Sequence, residues 1–251
     1  LIEGNRLTGE YTLNLQRTTH SERLLPTVER VLADAGFGPE DKPDGIAVAL
    51  GPGSFTGLRI GVVTAKTLSY AWDVPVVGVL TLEALALQMS GAAPLACPIM
   101  DARNGNVFTA LYDVRGAEPV AVVEPALRPA HDWFTALGSG RAFGEDMSGV
   151  GDADESTGGS VMTKVDVDAP IIFGGDGLFN YWEDIRRLVG ERPRRVAPVF
   201  EFLRTVAVAM LGAARLSRGE ADDPMQLTPV YLRKSEAERK WEAQSKTRSP
   251  S

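Results

Sequence analysis

Gly51-Pro52-Gly53-Ser54-Phe55-Thr56-Gly57-Leu58-Arg59-Ile60-Gly61 is the stretch whose reading decides the fold of this chain. It follows the short apolar run Gly45–Leu50, which reads as a buried strand. It precedes a helical pattern that runs to about Trp72, stopped by Asp73 and Pro75. Gly51 and Gly53 permit a tight turn between strand and helix. Ser54 is a good N-cap. A helix that starts here exposes backbone N–H groups able to hold an anion, so Gly51, Gly53, Ser54, Thr56 and Arg59 form a candidate binding turn. Gly57, Gly61 and Ala65 then recur every fourth residue on one face. Small residues at that spacing admit the close approach of another element. That element belongs either to the same chain or to a partner helix, and the sequence leaves both open.

Spacing excludes three familiar motifs. A Walker A loop ends in Gly-Lys-Ser/Thr, and no lysine follows the turn before Lys66. The dinucleotide fingerprint needs its third glycine one residue earlier than Gly57. A nucleophile elbow needs glycine two before and two after its serine, where Ser54 has Pro52 and Thr56.

Upstream, Leu7 to Gln16 alternates as a strand with one buried face. Glu3-Gly4-Asn5 reads as a hairpin turn with only two residues before it, from which the native beginning is expected to be absent. Thr19 and Glu22 have capping-box spacing. Leu24, Leu25, Val28, Val31, Leu32 and Ala35 continue at helical intervals, with Pro26 kinking the first turn or moving the start, and Gly36 as a left-handed cap. Downstream, Val76–Val79 is a buried strand and Thr81–Met89 a helix. Strands are expected at Ala96–Met100, Val107–Tyr112, Val120–Val123 and Ile171–Phe173, with a hairpin at Asn104-Gly105-Asn106. A helix over Glu201–Arg218 buries Phe202, Val206, Ala209 and Ala213.

The alternation of strands and helices points to an α/β architecture in two subdomains. Their bounds are 1–95 and 96–235, with the seam near Pro94–Cys97, a mobile insert at about 138–167 and a charged tail at 236–251. The 251 residues carry a net charge of -7, which argues against a nucleic-acid grip by the chain alone. Arg192, Arg194 and Arg195 nevertheless cluster, either as solvated charge or as a docking edge for an acidic or RNA-bearing partner. No apolar run approaches the ~20 residues that cross a bilayer. Cys97 is the only cysteine, which excludes an internal disulfide and fits a reducing cytoplasm.

The Gly51–Gly61 segment resembles the signature of the TsaB (YeaZ) family. His20-Ser21-Glu22-Arg23-Leu24-Leu25-Pro26 resembles the family's first helix, and Met100-Asp101-Ala102-Arg103-Asn104-Gly105-Asn106-Val107-Phe108 its Asp-Ala-Arg hairpin. Pro229-Val230-Tyr231-Leu232-Arg233 resembles its closing Pro-x-Tyr-Leu-Arg. The resemblance covers nearly the whole chain except the insert. It departs at the start, where the family's opening strand with an Ile-Asp-Thr-type loop is absent.

The resemblance implies an actin-like (RNase H-like) two-subdomain fold and a subunit without catalytic residues. Such a subunit pairs with TsaD and works with the ATPase TsaE, and reaches tRNA through the complex. The reaction moves a threonylcarbamoyl group to the adenosine beside the anticodon. In the related TsaD a His-x-x-x-His pair holds metal, and the matching positions here are Thr81 and Leu85, neither of which replaces an imidazole. No metal and no cofactor of its own are expected, with ATP or ADP as candidates at the complex interface. The interface residues implied are His20, Leu24, Val28, Phe55, Gly57, Leu58, Gly61 and Ala65. Bulky substitution at Gly61 or Ala65 is expected to break pairing without unfolding the chain. Homodimers through the same face are also implied, and no membrane contact.

Other residues keep two readings. His20 is a capping or interface residue, or a general base without a visible partner. Asp101 and Arg103 are an ion pair pinning the hairpin, or a remnant of the actin-like phosphate loop. Gly174, Gly175 and Asp176 are a remnant of the nucleotide-facing loop, or a strand-to-helix turn. An actin-like ATPase and a metallopeptidase-like enzyme remain the alternative functions.

Overall fold

The computed structural model describes residues 1–4, 6–12, 20–143, 166 and 168–233, without the side chains of residues 20 and 21. Thr19, strand positions 13–16, most of the expected insert and the charged tail lie outside the described residues. The elements in chain order are β1 (Ile2–Glu3), β2 (Arg6–Leu7), α1 (His20–Asp34), β3 (Ile46–Gly51), α2 (Phe55–Trp72), β4 (Val76–Leu80) and α3 (Thr81–Leu87). They continue as β5 (Leu95–Asp101), β6 (Asn106–Asp113), β7 (Val120–Pro129), α4 (Ala130–Gly138), β8 (Ile171–Gly174), α5 (Leu178–Val189), β9 (Pro193–Arg195) and α6 (Thr205–Ser217). No described helix is long and apolar enough to cross a membrane.

The chain forms two compact units, Leu1–Leu80 with Gly212–Ser251, and Thr81–Leu211. The seam expected near Pro94–Cys97 therefore falls inside the second unit. The physical reason is α3, which packs on β5 and β6.

In the first unit β3 and β4 pair in parallel, Ile46 opposite Val76. Their apolar side chains meet α2 in a core of Val48, Val62, Ala65, Val76 and Leu227. The chain returns through Asp222, whose Oδ2 accepts from the Gly78 N–H at 2.7 Å. The β1–β2 hairpin turns at Gly4 (φ 56°) as the turn residues predict. The expected strand beyond Leu7 does not continue over the described residues 8–12, because the ladder holds only the pairs Ile2–Leu7 and Glu3–Arg6. Helix α1 starts at His20 and carries Pro26 within it. It ends as expected at Gly36 (φ 90°), where Phe37 N–H reaches the Leu32 carbonyl at 3.0 Å.

The second unit holds a mixed five-stranded sheet in the order β7-β6-β5-β8-β9. Strands β5 to β7 are antiparallel hairpin strands; β8 and β9 run parallel to β5. The hairpin after β5 turns through left-handed Arg103, Asn104 and Gly105. Trp133, Phe134, Phe173, Leu95, Ile99 and Leu111 are fully buried around this sheet. The expected insert begins later than 138, since α4 ends there and Arg141–Phe143 forms a 3₁₀ turn. The expected helix from Glu201 starts at Thr205 instead. Its buried residues are Ala207, Val208, Leu211 and Gly212, while Phe202 and Ala213 are exposed.

Candidate functional site

Ser54 caps α2, its Oγ accepting from the Gly57 N–H at 3.3 Å. Gly51 precedes a cis bond to Pro52 and adopts φ 122°, a conformation that favours glycine. A Cβ on Gly51 would stand 2.7 Å from the Val230 carbonyl oxygen. The closing segment lies against the turn here, with Val230 N–H donating to the Leu50 carbonyl at 2.9 Å. Tyr231 then stacks on Phe55 at 4.7 Å, and Arg59 lies 4.1 Å over the Phe55 ring while its Nε donates to the Tyr231 hydroxyl at 3.0 Å. Two motifs 172 residues apart are thus one structure. Gly51 serves the close approach of the closing segment, and Arg59 lies over the Phe55 ring and bonds the Tyr231 hydroxyl; Gly53, Ser54 and Thr56 are exposed.

Asp101, Arg103, Gly174, Gly175 and Asp176 meet in the second unit. Asp176 Oδ1 accepts from the Asp101 N–H at 3.1 Å. Asp101 accepts from the Arg103 N–H at 2.8 Å and from Asn180 Nδ2 at 3.0 Å. The hairpin is pinned through the backbone of Arg103, a change from the expected ion pair. Gly175 (φ 111°) lies so close to β5 that a Cβ would stand 2.2 Å from the Ile99 carbonyl oxygen. Burial pushes the Asp176 carboxyl above its ordinary range, the Asp101 charge adds to this, and backbone N–H bonds oppose it. The arrangement is a strand-to-helix turn tied to the hairpin. Thr81 and Leu85 are both buried, and among the described residues no three His, Cys, Asp or Glu could hold a metal.

The helix pair divides the implied interface residues. Leu58, Val62, Ala65 and Ser69 form the buried stripe of α2. Ala65 is 6% exposed and sits in the core, and a Cβ on Gly61 would touch Val48 Cγ2 at 3.8 Å. Leu58 and Ala65 therefore face inward onto the core of their own unit, a correction to the implied interface, whereas Gly57 and Gly61 are half-buried and a Cβ on Gly57 would meet only Ser54. The outward stripe is Phe55, Arg59, Val63, Thr67 and Tyr70, at helical spacing. Val63 is 61% and Tyr70 89% exposed. On α1, Leu24, Val28, Val31 and Leu32 are half-buried and Leu25 is exposed. His20 is the first residue of α1, and its side chain lies outside the described residues. Sequence reading missed Val63 and Tyr70. The signal was the second apolar row of α2, offset from the glycine row.

Comparison with known proteins completes the site. A family model described as "TsaD: tRNA N6-adenosine threonylcarbamoyltransferase" matches residues 14–241. The tRNA threonylcarbamoyladenosine biosynthesis protein TsaB of Bacillus subtilis is 32% identical over 241 residues, 96% of this chain and 91% of that protein. The protein of the same name from Escherichia coli is 36% identical over 117 residues, 43% of this chain and 50% of that one. The solved structure of YeaZ from Pseudomonas aeruginosa matches with a TM-score of 0.62 at 25% identity, covering 87% of this chain and 86% of the other. With the mixed sheet and its flanking helices, these matches identify the fold as α/β of the actin-like class. The chain belongs to the TsaB (YeaZ) family of tRNA threonylcarbamoyladenosine biosynthesis proteins.

Proposed function

We propose that this chain is a non-catalytic subunit that pairs with a TsaD-type subunit through the outward faces of α1 and α2. In that role it supports threonylcarbamoyl transfer to the adenosine next to the tRNA anticodon. A TsaE-type subunit supplies ATP hydrolysis, and the chain needs no cofactor of its own. The setting is the cytoplasm, and tRNA reaches the chain through the complex.

One observation carries this reading: α2 presents Val63 and Tyr70 to solvent beside a helix, α1, that has apolar residues but no fully buried one among its described side chains. A helix with apolar residues on two faces has one face more than its own core uses. The chemistry reading is supported less. Neither Thr81 nor Leu85 replaces an imidazole as a metal ligand, and the Asp101 and Asp176 carboxylates accept bonds from the backbone that holds their loops.

The test is reconstitution with TsaD-type and TsaE-type subunits, threonylcarbamoyl adenylate and tRNA, leaving out one protein at a time. Omission of this chain should abolish or strongly reduce modification, and the chain alone should give none. Modification by the chain alone, or undiminished modification without it, would sink the proposal.

A further inference from the structure

The second unit carries an exposed stripe that pairing through α1 and α2 does not use. It is built by α5, the edge strand β9 and the loop that follows β9. On α5, Phe179, Trp182 and Arg186 share a face by their spacing. Phe179 is 62% and Phe202 48% exposed, and their rings lie 5.7 Å apart. The Arg195 guanidinium lies 5.6 Å from the centre of the Trp182 ring. Beyond it, Trp182, Arg186, Arg187 and Arg194, with Glu183 and Glu191, line an open groove of about 360 Å³.

The loop is held firmly while its rings point outward. Gln88 Nε2 donates to the carbonyls of Phe200 at 2.6 Å and Phe202 at 3.0 Å, and Gln88 Oε1 accepts from the Arg204 N–H at 3.0 Å. Glu201 is buried, and its Oε1 accepts from Arg195 Nε at 2.8 Å and pairs with Arg195 Nη2 at 2.7 Å. Burying a carboxylate is costly unless it is paired. Here the buried pair fixes a loop whose exposed Phe200 and Phe202 contribute little to the core.

Charge selects the occupant. Residues 178–204 hold six arginines and four carboxylates in a chain whose net charge is -7. Aromatic faces alternating with guanidinium groups suit unpaired bases and the phosphates that join them. The pairs Arg186–Glu183 and Arg187–Asp184 are on the surface, where ion pairs are weak enough for a phosphate to displace the carboxylate. We infer that this stripe is a contact surface for an unpaired segment of RNA. On the proposed function, which this inference rests on, that RNA is a tRNA loop held in the assembled complex. The chain's overall negative charge keeps such contact weak outside the complex.

The experiment compares F179A/F202A and R186E/R194E with the wild-type chain, each assembled with the TsaD-type and TsaE-type subunits. Affinity for tRNA is measured by fluorescence anisotropy across a salt series, and assembly by size-exclusion chromatography. R186E/R194E should weaken binding by about tenfold or more at low salt and reduce the salt slope by about two. F179A/F202A should weaken binding by about fivefold or more at all salt concentrations. Assembly should be unchanged for both. Unchanged affinity and slope in a complex that assembles and modifies tRNA would overturn the inference alone. Loss of assembly would make the stripe a protein interface and overturn it as well. If the wild-type chain joins no complex, the proposed function fails, and the variants are compared on single-stranded RNA with the isolated chain. Equal binding by wild type and variants there would overturn the inference too.

Discussion

Cys97 lies in the sheet of the second unit with no exposed surface, its Sγ 3.5 Å from Thr109 Oγ1. Burial pushes the thiol up to about 12. The thiolate is the reactive form, so burial both suppresses it and shields it from reagent. Alkylation of the native protein at pH 8 should be at least about tenfold slower than in urea; equal rates would contradict the burial. Gly51 makes a second residue-scale case. Alanine there meets the Val230 carbonyl in a left-handed conformation, and G51A should destabilise the first unit by about 1–3 kcal/mol in urea unfolding. A third concerns pH. The Asp176 carboxyl is raised above its ordinary 3.8, so the folded chain holds this proton more tightly than the unfolded one. Its contribution to stability is full below 3.8 and is lost as pH rises through the folded value. D176N keeps an oxygen to accept from Asp101 N–H and removes the charge. Its melting temperature should exceed wild type at pH 7 and approach it as the pH falls below 4, and a lower value at pH 7 would contradict this. The Ser54 cap was legible in the sequence because a cap spans three residues. The partner of Gly51 was not, because Val230 meets it only through tertiary folding.

At the scale of elements, α2 has two working faces. The inner one packs on β3, so A65W overfills the core of Val48, Val62 and Val76 and should cost about 1–3 kcal/mol of stability. The outer one is solvated, so V63D/Y70D should shift stability by no more than about 0.5 kcal/mol per site. Chemical denaturation of the two variants separates the faces, and equal losses would contradict the assignment. Helix and strand positions were legible here because caps, turns and periodicity are local. The direction of a face was not. Small residues at every fourth position fit a neighbouring sheet as well as a foreign helix; here Ala65 joins the core of its own unit while Gly57 and Gly61 stay half-buried. Helix α6 repeats the lesson: Phe202 matched its apolar period, yet the helix starts three residues later and Phe202 remains exposed.

At the scale of the whole molecule, the alternation of elements disclosed an α/β fold in two units and the motif resemblance implied its actin-like class, while the exchange of α3 and the C-terminal segment between units did not show. Thr81 and the residues after it join the second unit, and Gly212 onward joins the first. Such assignments rest on long-range packing, which no periodicity encodes. The family emerged because its most specific motif, Gly51–Gly61, is a backbone motif: Gly51 is placed where a side chain would strike a carbonyl. The interface proposal follows from what those motifs leave uncovered. Its most direct test is the affinity of V63D/Y70D for the TsaD-type subunit, measured by titration calorimetry beside wild type, with melting temperatures as the folding control. The account predicts a loss of about a hundredfold or more with melting within a few degrees of wild type. Wild-type affinity in that folded variant would contradict it.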